Sequence, residues 1–167
     1  MASKKQQQPA VPRNERMSPV DTAWLRMDSP GNAMMIVSVT ATQTPIRFEE
    51  FARVIESRLL RFTRFRQRPV QDPLGAAWVT DEDFDLGAHL VKAHLPEPCG
   101  KLQLEEFAAD LASARLDPAH PLWQVHFVGR YESGSAWVVR LHHCYADGTA
   151  MIRVGASRPG HSRCEVV

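Results

Sequence analysis

A chain of 167 residues that is 44% apolar and 23% charged has the composition of an ordinary globular domain, with room for one core and little for a second. A net charge of +1 argues against a dedicated nucleic-acid binder, and Cys99, Cys144 and Cys164 form neither a disulfide framework nor a zinc ribbon. Unpaired thiols fit a reducing, cytoplasmic setting, and no apolar run is long enough for a membrane span or a secretory leader.

Residues 1–16 carry Gln, Pro and basic side chains without apolar periodicity, and are expected to form a disordered tail. From Met17, Ser18-Pro19-Val20-Asp21 reads as a helix start: Ser18 can cap, Pro19 suits the first turn, and Asp21 stands at the capping-box position. Ser29-Pro30-Gly31-Asn32 should break that helix, and the apolar run Ala33 to Thr40 has the composition of a buried strand. The next helix starts at Phe48, with Phe51, Ala52, Ile55, Leu59 and Phe62 at three- and four-residue steps. Arg61, Arg64, Arg66 and Arg68 then read as its solvated end rather than as a phosphate- or lipid-binding patch, with Pro69 as the stop.

Ala76 to Val79 and Leu90 to Ala93 are short extended segments on either side of an acidic turn region, Asp81 to Asp85. A helix over about Leu102 to Ala114 carries the stripe Leu104, Phe107, Ala108, Leu111. Leu122 to Val128 and Ala136 to Leu141 read as an antiparallel pair turning through Glu132 to Ser135. A helix begun after Gly148 should last under two turns, and residues 155–167 lose all periodicity. Strands interleaved with amphipathic helices give an α/β fold of mixed α and β elements: a mixed sheet flanked by helices.

The return strand delivers His142-His143-Cys144-Tyr145-Ala146-Asp147-Gly148 into a loop. Alternation puts Trp137, Val139, Leu141 and His143 on one face and Val138, Arg140 and His142 on the other, so the two histidines can do different work. One can serve as a general base near neutral pH, and Gly148 permits a sharp turn. His142, His143 and Cys144 diverge too much to share a metal ion, so no metal is expected. Trp24, Met27, Met34 and Met35 fit either ordinary packing or an acyl-chain path.

His142 to Gly148 matches the HHxxxDG motif of the coenzyme-A-dependent acyltransferase superfamily. Other segments resemble one branch of it, the bacterial wax ester synthase/diacylglycerol acyltransferase family. They are Met17 to Asp21, Asp28 to Met34, Phe65 to Arg68, Phe84-Asp85-Leu86, Leu116-Asp117 and Pro121-Leu122-Trp123. The resemblance spans about Met17 to Val154, and one position departs from it, Gln124 standing where the family usually has Glu.

The resemblance implies the N-terminal half of a chloramphenicol-acetyltransferase-like fold and O-acyl transfer from acyl-coenzyme A, a substrate rather than a cofactor, to diacylglycerol or a long-chain alcohol. His143 would be the base, Asp147 would shape the site through a salt bridge, Gly148 would serve the turn, and His142 would support. The expected organisation is a tail over 1–16, an incomplete acyltransferase-like domain over 17–154 and an irregular tail over 155–167. As a truncated chain it is expected to turn over slowly, and its lipid contact would be peripheral, at a membrane or lipid droplet. The alternatives are a related enzyme using another acceptor, such as a polyketide-type alcohol or a peptidyl amine, and a non-catalytic remnant binding lipid or a partner. The substrate-binding residues are not legible.

Overall fold

The computed structural model describes residues 14–148 and 162–166, with side chains placed through Tyr145. The described elements run β1 (Asn14–Arg16), α1 (Pro19–Met27), β2 (Met35–Thr42), α2 (Phe48–Leu59), a 3₁₀ turn (Thr63–Arg66), β3 (Gln67–Asp72) and β4 (Gly75–Thr80). They continue with α3 (Leu86–His89), β5 (Leu90–Ala93), α4 (Lys101–Ser113), β6 (Trp123–Tyr131), β7 (Gly134–His142), a second 3₁₀ segment (His143–Gly148) and β8 (Ser162–Val166).

Two sheets result. The larger has strand order β5-β6-β7-β2-β8 and is mixed: β5 runs parallel to β6, and the other pairs are antiparallel. The smaller is the antiparallel set β1-β4-β3. Central strand β7 is buried throughout, and its two faces feed separate cores. Trp137, Val139 and Leu141 join Val125 and Phe127 against Phe51, Ile55 and Leu59 of α2 and Trp78 of the small sheet. Ala136 and Val138 pack on the opposite side against Leu104 and Ala108 of α4. The alternation read from the sequence is the one observed, and it makes the sheet the middle of a layered α/β unit.

Helix starts follow local chemistry. Ser18 caps α1 through its Oγ, which accepts from the Asp21 amide at 3.1 Å, and Pro19 occupies the first turn. The end of α4 is held from a distance: Arg140 on β7 donates from Nη1 to the carbonyls of Leu111 and Ala114, at 3.1 and 2.9 Å. Cationic donors suit those last carbonyls, which have no partner inside the helix.

Several sequence expectations need correction. The tail assigned to residues 1–16 ends sooner, because Asn14–Arg16 pairs with β4; residues 1–13 lie outside the described residues. The strand expected over Ala33 to Thr40 is displaced to Met35–Thr42. Helix α2 stops at Leu59; Arg61 lies in the turn after it, Arg64 and Arg66 in the 3₁₀ turn and Arg68 in β3. Pro69 does not stop a helix; it pairs with Trp78 in β3, a sheet-edge strand, where a missing N–H is tolerated. Arg64 is no free helix end: it lies 4.1 Å over the Trp78 ring and pairs with Glu15 at 3.0 Å. In the C-terminal tail read as irregular, Ser162–Val166 forms a strand beside β2. The short helix expected after Gly148 lies outside the described residues.

One half-buried group makes the fold acid-sensitive. His126 on β6 meets the edge of Phe107, its Nε2 has no hydrogen-bond partner among the described residues, and burial pushes its imidazole down to about 4. The unfolded chain takes up a proton near the ordinary value of 6.5, which the folded chain refuses until about pH 4. The stability this group contributes is therefore present above pH 6.5 and is lost as pH falls toward 4, at up to about 1.4 kcal/mol per pH unit. His126→Phe is expected to flatten this part of the stability profile, measured by thermal melts at pH 7 and pH 4.5. A slope unchanged by the substitution would show that other groups carry it.

Candidate active site

The end of β7 is fastened on both sides. The His142 amide donates to Leu122 O at 2.9 Å, on the chain entering β6, and the His143 amide donates to Met34 O at 2.8 Å, on the chain entering β2. Past the strand, His143–Gly148 turns in a 3₁₀ segment kinked at Tyr145.

The two histidines sit in different surroundings. The His142 ring is 2% exposed, and its Nδ1 accepts the Cys144 amide at 3.1 Å. An amide can only donate, so Nδ1 carries the lone pair and the neutral ring keeps its proton on Nε2. Burial pushes the His142 pKa down, with His143 and Arg115 acting in the same direction and Asp28 against them. His143 is half-buried, and its ring stacks on Trp24 of α1 with centroids 4.4 Å apart and planes at 22°. Its Nδ1 is enclosed without a hydrogen-bond partner among the described residues.

Tyr145 pins the segment. Its hydroxyl donates to Gln67 O at 2.5 Å and accepts the Leu122 amide at 3.2 Å, while its ring meets Trp78 edge-on and stacks on Phe65. One side chain thus ties the histidine turn to both sheets. Tyr145→Phe is expected to leave a buried carbonyl and a buried amide unpaired and to cost about 1–3 kcal/mol of stability. Denaturant titration checks this; an unchanged midpoint would mean that water replaces the hydroxyl.

Cys144 is buried and its thiol pKa is raised, chiefly by burial, which keeps it protonated and unreactive. The backbone of Asp147 and Gly148 lies in the 3₁₀ segment; the Asp147 side chain, expected in a salt bridge, lies outside the described residues. Gln124 retains a structural contact despite its departure: Oε1 accepts from Arg140 Nη2 at 2.7 Å and Nε at 3.2 Å, and Nε2 donates to Ala88 O. Met27 lines a groove of about 510 Å³ with Met17 and Arg26, but that groove includes neither Trp24 nor His143. Trp24 therefore has a more definite place than the packing or acyl-path alternatives: it is the floor under the His143 ring.

Sequence reasoning missed Asp28 and Arg115 as neighbours of the pair. Asp28 Oδ2 pairs with Arg115 Nη2 at 2.5 Å, and Oδ1 stands 3.9 Å from His142 Nε2. The signal was present, since Asp28 opens one of the segments that carried the family resemblance.

The fold is shared with solved structures: the wax ester synthase/diacylglycerol acyltransferase from Marinobacter aquaeolei VT8 superposes with a TM-score of 0.70 at 23% identity, over 83% of this chain and 35% of that one. The starter condensation domain of rhizomide synthetase RzmA, in a mutant form, gives 0.67 at 14% identity, over 85% of this chain and 34% of that one. The chain therefore shares the fold of these structures. Residues 17–160 match the family model described as the wax ester synthase/diacylglycerol acyltransferase catalytic domain, and the chain belongs to that family. The probable diacylglycerol O-acyltransferase tgs1 of Mycobacterium tuberculosis is 46% identical over 106 residues, and tgs3 of the same organism is 28% identical over 147. These alignments cover 61% and 84% of this chain, but the chain spans only 23% and 54% of those relatives. No helix among the described residues is long and apolar enough to cross a membrane.

Proposed function

We propose that this chain supplies the base-bearing part of an O-acyltransferase that moves a fatty acyl group from acyl-coenzyme A to the hydroxyl of diacylglycerol or a long-chain alcohol. The observation that carries the reading is the asymmetry of the histidine pair. His142 has one nitrogen committed to the Cys144 amide and is deeply buried, whereas His143 is half-buried on an aromatic floor. With Nδ1 enclosed, Nε2 of His143 is the nitrogen left to meet a substrate.

In this reaction Nε2 takes the proton of the acceptor hydroxyl as its oxygen attacks the thioester carbonyl. The tetrahedral intermediate collapses with cleavage of the carbon–sulfur bond, and the imidazolium returns the proton to the departing thiolate. No side-chain nucleophile is required, which agrees with an inert Cys144. No cofactor takes part; acyl-coenzyme A enters as a substrate. Asp147 and Gly148 are assigned the shaping and turning of the loop, and contact with a membrane or lipid droplet would be peripheral.

The test offers the protein labelled acyl-coenzyme A with diacylglycerol, a long-chain alcohol and a long-chain amine. Ester formation with either alcohol is expected. Label transferred to the amine alone would replace this reading with an amide-forming one.

A further inference from the structure

Three parts of the chain converge on the carboxylate of Asp28, which follows α1 directly and whose side chain is only 11% exposed. Oδ2 accepts from Arg115, beyond α4, with Nε at 2.7 Å and Nη2 at 2.5 Å. Oδ1 accepts the Met34 amide at 3.0 Å, and the Met34 carbonyl in turn accepts the His143 amide at 2.8 Å. The same Oδ1 faces Nε2 of His142 across 3.9 Å, a separation at which charge and dipole attract without a hydrogen bond. Since the Cys144 amide fixes the lone pair on Nδ1, the proton of His142 is on Nε2, the buried nitrogen that has no hydrogen-bond partner among the described residues and stands nearest this carboxylate oxygen. One carboxylate thus reaches both histidines, by two routes.

We propose that Asp28 is a positioning residue for the histidine pair: through Met34 it fixes the backbone of His143, and across the gap to Nε2 its charge orients the His142 ring in the tautomer that the Cys144 amide selects. Its catalytic consequence rests on the acyl-transfer reading, but the positioning itself does not. Arg115 holds the carboxylate in place from its far side, so its loss acts in the same direction as the loss of Asp28.

The test uses protein labelled with ¹⁵N-histidine and long-range proton–nitrogen spectra, which report which ring nitrogen bears the proton. The wild type is expected to show His142 protonated on Nε2 only. In Asp28→Ala the His142 ring-nitrogen signals and the His143 amide should both shift, whereas Asp28→Asn, which keeps an acceptor oxygen for the Met34 amide but loses the charge, should retain the His143 amide position and still shift His142. If Asp28→Ala does not fold, Arg115→Ala decides, with the same changes expected. A folded variant with both signals unmoved overturns the proposal.

In turnover, Asp28→Ala is expected to lower kcat for acyl transfer roughly 10–100-fold with KM for acyl-coenzyme A little changed. An unchanged kcat in a variant whose spectra have moved overturns the catalytic consequence of the positioning. A wild type that makes no ester removes the acyl-transfer reading and leaves the spectra to decide on Asp28.

Discussion

Replacing His143 with alanine is expected to slow acyl transfer by about 10²–10⁴-fold, equivalent to about 3–5 kcal/mol of transition-state stabilisation. The loss should fall on kcat, because a base acts on the proton in flight and contributes little to holding acyl-coenzyme A. The fold should tolerate the change: the ring is half-buried, makes no side-chain hydrogen bond among the described residues, and gives up mainly a stack on Trp24. His142→Ala separates the roles of the pair. It removes the acceptor for the Cys144 amide and opens a cavity in a buried site, so stability should fall together with rate. Steady-state kinetics and thermal melts on both variants check the contrast; equal stability losses would mean that the two rings are not divided as described.

Gly134→Ala is expected to be among the most damaging single substitutions in the described chain, at about 3 kcal/mol or more. A Cβ added there would stand 1.8 Å from the Thr42 carbonyl oxygen, and backbone cannot swing aside as a side chain can. Relief requires the end of β2 to part from the β6–β7 hairpin. That junction is already locked by Ser135, whose Oγ accepts the Ile46 amide and donates to Gly129 O, both at 3.0 Å. Because β2 and β7 together carry Met34 and the histidines to their places, the damage should also reach the site. A melting temperature lowered by about 6 °C or more is expected, and a variant within about 1 °C of the wild type would contradict the close approach.

The sequence made legible whatever was decided locally. Ser18 and Pro19 announced α1, the three- and four-residue steps from Phe48 announced α2, and Leu90 to Ala93 was read to the residue because its apolar run is short and bounded. The motif and its flanking segments gave the family. Strand β3 was not legible, since its polar residues, Arg68 and Pro69 carry no strand signal; only its place at a sheet edge makes Pro69 acceptable. Strand β8 has no periodic pattern to read either, and its partner β2 lies far away in the chain.

The site divides in the same way. That two adjacent histidines would differ followed from strand alternation, but how they differ did not. It depends on Asp28 meeting Arg115 across 87 residues and on the Tyr145 hydroxyl reaching Gln67 across 78. Single-sequence patterns hold no record of such contacts.

The central claim, that His143 acts as the base, is tested most directly by chemical rescue. Alanine at position 143 leaves a ring-shaped gap over Trp24, which free imidazole can enter with the same stacking surface beneath it. Ester formation by the His143→Ala protein should rise with the concentration of added neutral imidazole, while the wild type stays unaffected. Wild-type ester synthesis that survives His143→Ala without any imidazole would contradict the assignment outright.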